Sequence, residues 1–186
     1  ILQAHGVDTV TVGMTDGLAY DLDAMSEAIS DRTKMVFIAN SNNPTGTYKT
    51  ADQMRAFLER TPDDTIVVVD EAYHEYVQAE DYASALTMRD IHPRLVVTRT
   101  FSKAFGLAGL RCGYGVTTAE MADYINRVRE PFNSNLIAQK ACTEALSDVE
   151  FLERAIETNE TGREILEAGF AQMSDLGVDW IPSQTN

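Results

Sequence analysis

Three short polar runs in this 186-residue chain could do chemistry, and each one follows an apolar stretch. Asn40-Ser41-Asn42-Asn43-Pro44-Thr45-Gly46 follows Met35 to Ala39, and Asp70-Glu71-Ala72-Tyr73 follows Ile66 to Val69. Arg99-Thr100-Phe101-Ser102-Lys103 follows Leu95 to Thr98. In open parallel sheets ligands bind beyond the carboxyl ends of the strands. If the apolar stretches are strands of such a sheet, one edge gathers an amide, a carboxylate, a phenol, two hydroxyls and an amine.

Taken singly, each run has a plainer reading. Asn43-Pro44-Thr45-Gly46 reads as a surface turn, Asp70 as a helix cap or a solvated loop acid, and Lys103 as a lysine snorkelling from a helix start. Context sharpens two of them. A carboxylate directly behind Ile66-Val67-Val68-Val69 is expected to be partly desolvated and to need a cationic or strongly donating partner. Lys103 lies among Phe101, Ala104, Phe105, Leu107 and Ala108, a setting in which a lysine amine serves as a nucleophile toward carbonyls. Gly106, Ala108 and Gly109 leave room for a ligand to approach the backbone. Arg111 offers a bidentate donor for phosphate. A Schiff-base lysine beside a phosphate anchor is the combination these residue types suggest.

The elements that must position these runs are legible as alternating apolar stretches and helical periods, the pattern of an α/β fold: a mostly parallel sheet with helices on both faces. Strands are expected at Val7 to Val12, Met35 to Ala39, Ile66 to Val69, Leu95 to Thr98 and Cys112 to Val116. Helices are expected at Leu22 to Ile29 behind Asp21, and at Ala51 to Leu58 behind Thr50, where Gln53 completes a capping-box spacing. Thr117 with Glu120, and Ser147 with Glu150, repeat that start signal. A long helix is expected from about Val149 to Leu176, then a turn into a strand at Val178-Asp179-Trp180-Ile181. Residues 1–147 are read as a large domain, and 148–186 as a linker helix and the start of a second, smaller one. The chain starts at Ile1 and stops just after that last strand, so it is read as a piece of something longer.

Composition removes several classes. With 29 acidic against 15 basic residues, the formal charge of −14 opposes binding to nucleic-acid backbones and anionic membranes. No apolar stretch approaches the roughly 20 residues of a membrane span, and no signal peptide opens the chain, so the cytoplasm is the expected compartment. Cys112 and Cys142 are read as reduced core residues, and no His/Cys cluster has metal-ligand spacing. His5, His74 and His92 carry no motif role and are read as core or surface residues.

Thr100-Phe101-Ser102-Lys103-Ala104-Phe105-Gly106-Leu107-Ala108-Gly109-Leu110-Arg111 resembles the lysine signature of the fold-type I pyridoxal-phosphate aminotransferases. Asn43-Pro44-Thr45-Gly46 and Asp70-Glu71-Ala72-Tyr73 match that family's two other landmarks, in order and at similar spacing. The resemblance covers the whole chain and about the middle half of a typical member. It implies pyridoxal 5'-phosphate held as a Schiff base by Lys103, with Asp70 at the pyridine nitrogen. It further implies Asn43 and Tyr73 at the phenolic oxygen, and Thr100, Ser102 and Arg111 at the phosphate. Lys103 and Asp70 are the expected catalytic residues, the expected substrates are a small amino donor and a 2-oxo acid, and a homodimer is the expected assembly.

Within the family, Arg129-Glu130-Pro131-Phe132-Asn133-Ser134-Asn135 and Asp70-Glu71-Ala72-Tyr73-His74-Glu75-Tyr76 are most similar to histidinol-phosphate aminotransferases. That resemblance implies amino transfer between histidinol phosphate and 2-oxoglutarate in histidine biosynthesis. Two same-fold alternatives, an aromatic aminotransferase and a threonine-phosphate decarboxylase, would use the same Lys103 and Asp70. An alternative of another class is a noncatalytic module that binds pyridoxal phosphate or only dimerises.

Overall fold

The computed structural model describes residues 6–185. Its centre is a four-stranded sheet in the order β1 (Met35–Ala39), β2 (Ile66–Asp70), β3 (Leu95–Thr100), β4 (Gly113–Val116). β1, β2 and β3 run parallel, and β4 returns antiparallel to β3. β-Branched valines and isoleucines fill the parallel strands, whose side chains pack on a pleated surface with little loss of rotamer freedom.

Among the described residues five α-helices accompany the sheet: α1 (Leu22–Ala28), α2 (Ala51–Arg60), α3 (Ala119–Val128), α4 (Leu136–Ala145) and α5 (Val149–Ala171). Alternate residues of the strands, Val36, Ile38, Val67, Val69, Leu95 and Val97, form one buried face. Leu22 of α1 and Met54, Phe57 and Leu58 of α2 cover it, with Ala85 and Met88 from a single-turn helix. On the other side of the alternation, Met35 and Phe37 remain 43% and 48% exposed. A second cluster joins Phe101 and Phe105 to Cys142 of α4 and Leu152 of α5, and so anchors the segment that carries Lys103.

The parallel core and the long helix agree with the sequence reading, and several details do not. Val7 to Val12 forms no strand, and Val10 is 79% exposed. A strand needs a ladder partner, and the pairing described near this segment is an isolated bridge between Met14 and Tyr20. Val178 to Ile181 is likewise not a strand; Trp180 packs its ring 6.1 Å from that of Phe170 on α5. The long helix stops at Ala171, and a 3₁₀ turn, Ser174–Leu176, follows it. Two caps fall one residue later than expected. Thr118 caps α3, because the Thr117 hydroxyl donates to the Leu95 carbonyl at 2.8 Å. Asp148, not Ser147, caps α5 and accepts from the Phe151 N–H. At α2 the capping box of Thr50 and Gln53 is formed as expected.

Candidate active site

Register brings the three polar runs together. Asp70 is the Cα partner of Ala39 on one side and of Thr98 on the other, so β1 and β2 end level with Thr98, and β3 runs two residues further, to Thr100. The next bonds continue the alignment: Asn40 N–H donates to the Asp70 carbonyl and Glu71 N–H to the Thr98 carbonyl, both at 2.9 Å. The first two loops therefore leave the sheet at the same height, and the third follows Thr100 on the same edge.

The first loop is held by its own polar groups. Asn40 exchanges two hydrogen bonds with the backbone of Lys49, Asn42 donates to the Thr45 hydroxyl at 2.8 Å, and Thr47 donates to the Leu18 carbonyl. Asn40, Asn42 and Thr45 are buried in doing so, which leaves Asn43 exposed at the tip. From there Asn43 Nδ2 donates to the Tyr73 hydroxyl at 2.7 Å. Lys103 Nζ lies 5.0 Å from the centroid of the Tyr73 ring, a cation–π distance. Asn43, Tyr73 and Lys103, from three different loops, thus meet around one phenol.

Lys103 is exposed; its apolar sequence neighbours Phe101, Ala104 and Phe105 turn into the core beneath it instead of enclosing the amine. The amine makes no hydrogen bond or ion pair among the described residues. Gly106, three residues on, has φ +69 and donates its N–H to the Lys103 carbonyl at 2.9 Å. The left-handed turn favours glycine, and a Cβ there would stand 3.1 Å from the tip of the Phe151 ring, which leaves little room beside α5.

Asp70 corrects the sequence reading. Its carboxylate is exposed rather than desolvated, and one oxygen accepts from the Ala72 N–H at 3.1 Å. The buried acid is the next residue. Glu71 pairs with Arg99, whose Nη2 lies 2.8 Å from Glu71 Oε2. Thr100 accepts from the Ser102 N–H at 3.1 Å, closing the turn before Lys103. Arg111 is exposed at a left-handed position, φ 52, and donates to the Ala108 carbonyl of its own loop.

Residues outside the motifs tie the loops together. The Tyr82 hydroxyl donates to the Asn40 carbonyl at 3.1 Å, so His74 Nδ1, also 3.1 Å from that hydroxyl, must be the donor to it. Burial lowers the His74 pKa, and the Arg99 charge lowers it further. Burial likewise raises Tyr82 and Glu75. Sequence reasoning missed this set, although a single arginine inside a valine strand, Leu95-Val96-Val97-Thr98-Arg99, was a visible signal for a buried partner. His92 is buried, and His5 lies outside the described residues. The two cysteines are free thiols; burial beside Cys112 pushes the Cys142 thiol up to about 11.

The donor set fits an aromatic aldehyde cofactor with a ring nitrogen, a phenol and a phosphate: an amine held only against a ring face, an amide and phenol already in contact, an exposed carboxylate, and hydroxyls on the turn before the amine. A separate cleft of about 200 Å³, lined by Tyr76, Asn159, Arg163 and Thr185 among others, includes none of these residues. Among the described residues no group of His, Cys, Asp or Glu side chains is arranged to hold a metal, and no helix is long and apolar enough to cross a membrane.

The family model for aminotransferase class I and II matches residues 1–186. The chain belongs to that family. Among curated relatives, a histidinol-phosphate aminotransferase of Pseudomonas fluorescens is 51% identical over 90% of this chain and 44% of its own length. Another, from Idiomarina loihiensis, is 45% identical over 100% of this chain and 50% of its own length. The chain thus spans about half the length of these relatives. Solved structures agree: histidinol-phosphate aminotransferase from Sinorhizobium meliloti, in complex with pyridoxal-5'-phosphate, superposes with a TM-score of 0.88 at 31% identity. That match covers 100% of this chain and 49% of that one. A double mutant of aspartate aminotransferase from Thermus thermophilus gives a TM-score of 0.79 at 26% identity, over 92% of this chain and 45% of that one. The sheet and helices described above are therefore those of the class I and II aminotransferases.

Proposed function

We propose that this chain is the cofactor-binding portion of a pyridoxal-phosphate-dependent aminotransferase acting on histidinol phosphate and 2-oxoglutarate, in histidine biosynthesis. The observation that carries the reading is the meeting of Lys103, Tyr73 and Asn43 beside Asp70 at the carboxyl edge of the sheet. The names of the most similar relatives support the substrate. Bound at this edge, pyridoxal phosphate supplies an electron sink for the substrate's α carbon. Lys103 Nζ would hold the cofactor's aldehyde carbon, and as a free amine it would take and return the proton at the substrate's α carbon. Asp70 would hold the proton on the pyridine nitrogen. Asn43 Nδ2 and the Tyr73 hydroxyl fix the phenolic oxygen, and Thr100, Ser102 and Arg111 hold the phosphate.

On this reading residues 1–147 form the cofactor-binding unit, and 148–186 a linker helix leading to a second domain. The working enzyme is a cytoplasmic homodimer. Borohydride reduction of the protein with pyridoxal phosphate, followed by peptide mapping, tests the cofactor assignment. An adduct on Lys103 is the expected result, and its absence in the full-length enzyme would sink the reading. Product analysis with histidinol phosphate, aromatic amino acids and threonine phosphate tests the substrate; preferential turnover of either of the last two would replace it.

A further inference from the structure

We infer that Glu71, Arg99 and Ser84 form a positioning clamp that fixes the spacing between the loop bearing Asp70 and Tyr73 and the loop bearing Thr100, Ser102 and Lys103. The inference rests on the cofactor reading above for its meaning in catalysis, while the clamp itself stands on geometry. The Glu71 side chain is 1% exposed. Its Oε2 accepts from Arg99 Nε at 3.0 Å and Nη2 at 2.8 Å, and its Oε1 accepts from the Ala85 N–H at 2.6 Å. The Ser84 hydroxyl lies 2.7 and 2.9 Å from the two carboxylate oxygens and itself accepts from Arg99 Nη2 at 2.8 Å. Both carboxylate oxygens are therefore hydrogen-bonded, as a buried charge requires.

The positions of these residues in the chain give the clamp its purpose. Glu71 is covalently next to Asp70 and two residues before Tyr73; Arg99 is next to Thr100 and four residues before Lys103. A displacement of either charged group is therefore passed directly to a proposed cofactor ligand. Stability alone is a poor reason for such a pair, since desolvation consumes most of the attraction between buried ions. What a planar guanidinium fork offers beyond charge is direction, because it meets a carboxylate in few orientations. Ser84 locks the pair from a third segment, which also supplies Tyr82 to the Asn40 loop.

The test compares the full-length enzyme with Arg99→Lys, Glu71→Gln and the double variant Glu71→Met/Arg99→Met. The double variant carries apolar residues of similar volume and is expected to stay folded with a near-normal Tm. Amide hydrogen exchange of residues 71–74 and 101–104 in the apoprotein gives a readout independent of the cofactor. It should quicken about tenfold, a cost of about 1.4 kcal/mol for opening the loops. With cofactor, all three variants should raise the Kd for pyridoxal phosphate by about tenfold and move the pH midpoint of the visible absorption. Unchanged exchange in all three would overturn the clamp, whatever the cofactor does. Faster exchange with unchanged Kd and midpoint would overturn its role at the site. Faster exchange in a protein whose parent forms no Lys103 adduct would support the clamp and reject the cofactor reading instead.

Discussion

Asp70 and Glu71 are adjacent acids with opposite surroundings: the first opens to solvent at the sheet edge, the second is sealed against Arg99. Their replacement should therefore fail in different ways. Asp70→Asn removes a charge aimed at the proposed cofactor ring and disturbs no buried partner, so kcat should fall by about 10²–10³-fold while the Kd for pyridoxal phosphate changes far less. Steady-state kinetics beside a cofactor titration checks the split. His74 makes a second prediction at this scale. Its pKa in the folded chain lies below the ordinary 6.5, because burial and Arg99 disfavour the imidazolium, with Glu71 acting weakly the other way. The unfolded chain therefore binds more protons at this residue as pH falls from about 6.5, and stability conferred by the neutral ring is lost in that window. Glu75, raised by burial, has the opposite sign and acts above its ordinary 4.5. Comparing Tm at pH 7.5 and 5.5 in the parent and in His74→Gln isolates the histidine: the variant should show the smaller acid loss. The sequence made Lys103, Tyr73 and Asn43 legible because each sits in a short contiguous motif. It left His74, Tyr82 and Ser84 obscure because their partners are 8 to 42 residues away and only strand register brings them together.

Among the elements, those with a local start signal were read most accurately. Thr50 and Gln53 satisfy each other's backbone donors at the head of α2, and Thr50→Ala should cost about 1 kcal/mol, lowering Tm by about 2–4 °C in a thermal melt. Where two hydroxyls or acids compete for a cap, local pattern cannot choose. Thr117 is taken by the Leu95 carbonyl and Thr118 is left for α3, a choice made by tertiary contact. Val7 to Val12 illustrates the opposite failure. Alternating valines describe what a strand's side chains want, but a strand also needs a ladder along its backbone, and residues 7–12 are not part of the four-stranded sheet. Gly106 lies between the two cases, since its sequence context suggested closeness to a ligand while the structure shows a left-handed turn pressed against Phe151. Gly106→Ala should destabilise by about 1 kcal/mol or more and should also slow borohydride trapping at Lys103, because the strained turn begins at the Lys103 carbonyl.

At the scale of the whole chain, two features oppose each other. The charge of −14 keeps molecules apart. Yet the surface presents large apolar side chains: Phe132 is 100% exposed, Leu136 and Ile137 at the head of α4 are 69% and 76% exposed, and Val128 at the end of α3 is 83% exposed. Apolar groups this close in sequence and this open to water favour association, and at low ionic strength the net negative charge resists it. Added salt shortens the reach of that repulsion to about 8 Å near physiological strength without weakening the apolar attraction. The 186-residue chain should therefore sediment near its monomer mass in dilute buffer and move to larger species as sodium chloride is raised. Phe132→Ser with Ile137→Ser should suppress the shift, since both residues already face water and neither belongs to the two buried clusters. A parent chain that stays monomeric at every salt concentration would mean that these side chains do not drive self-association, and that repulsion between acidic surfaces is not what holds the copies apart.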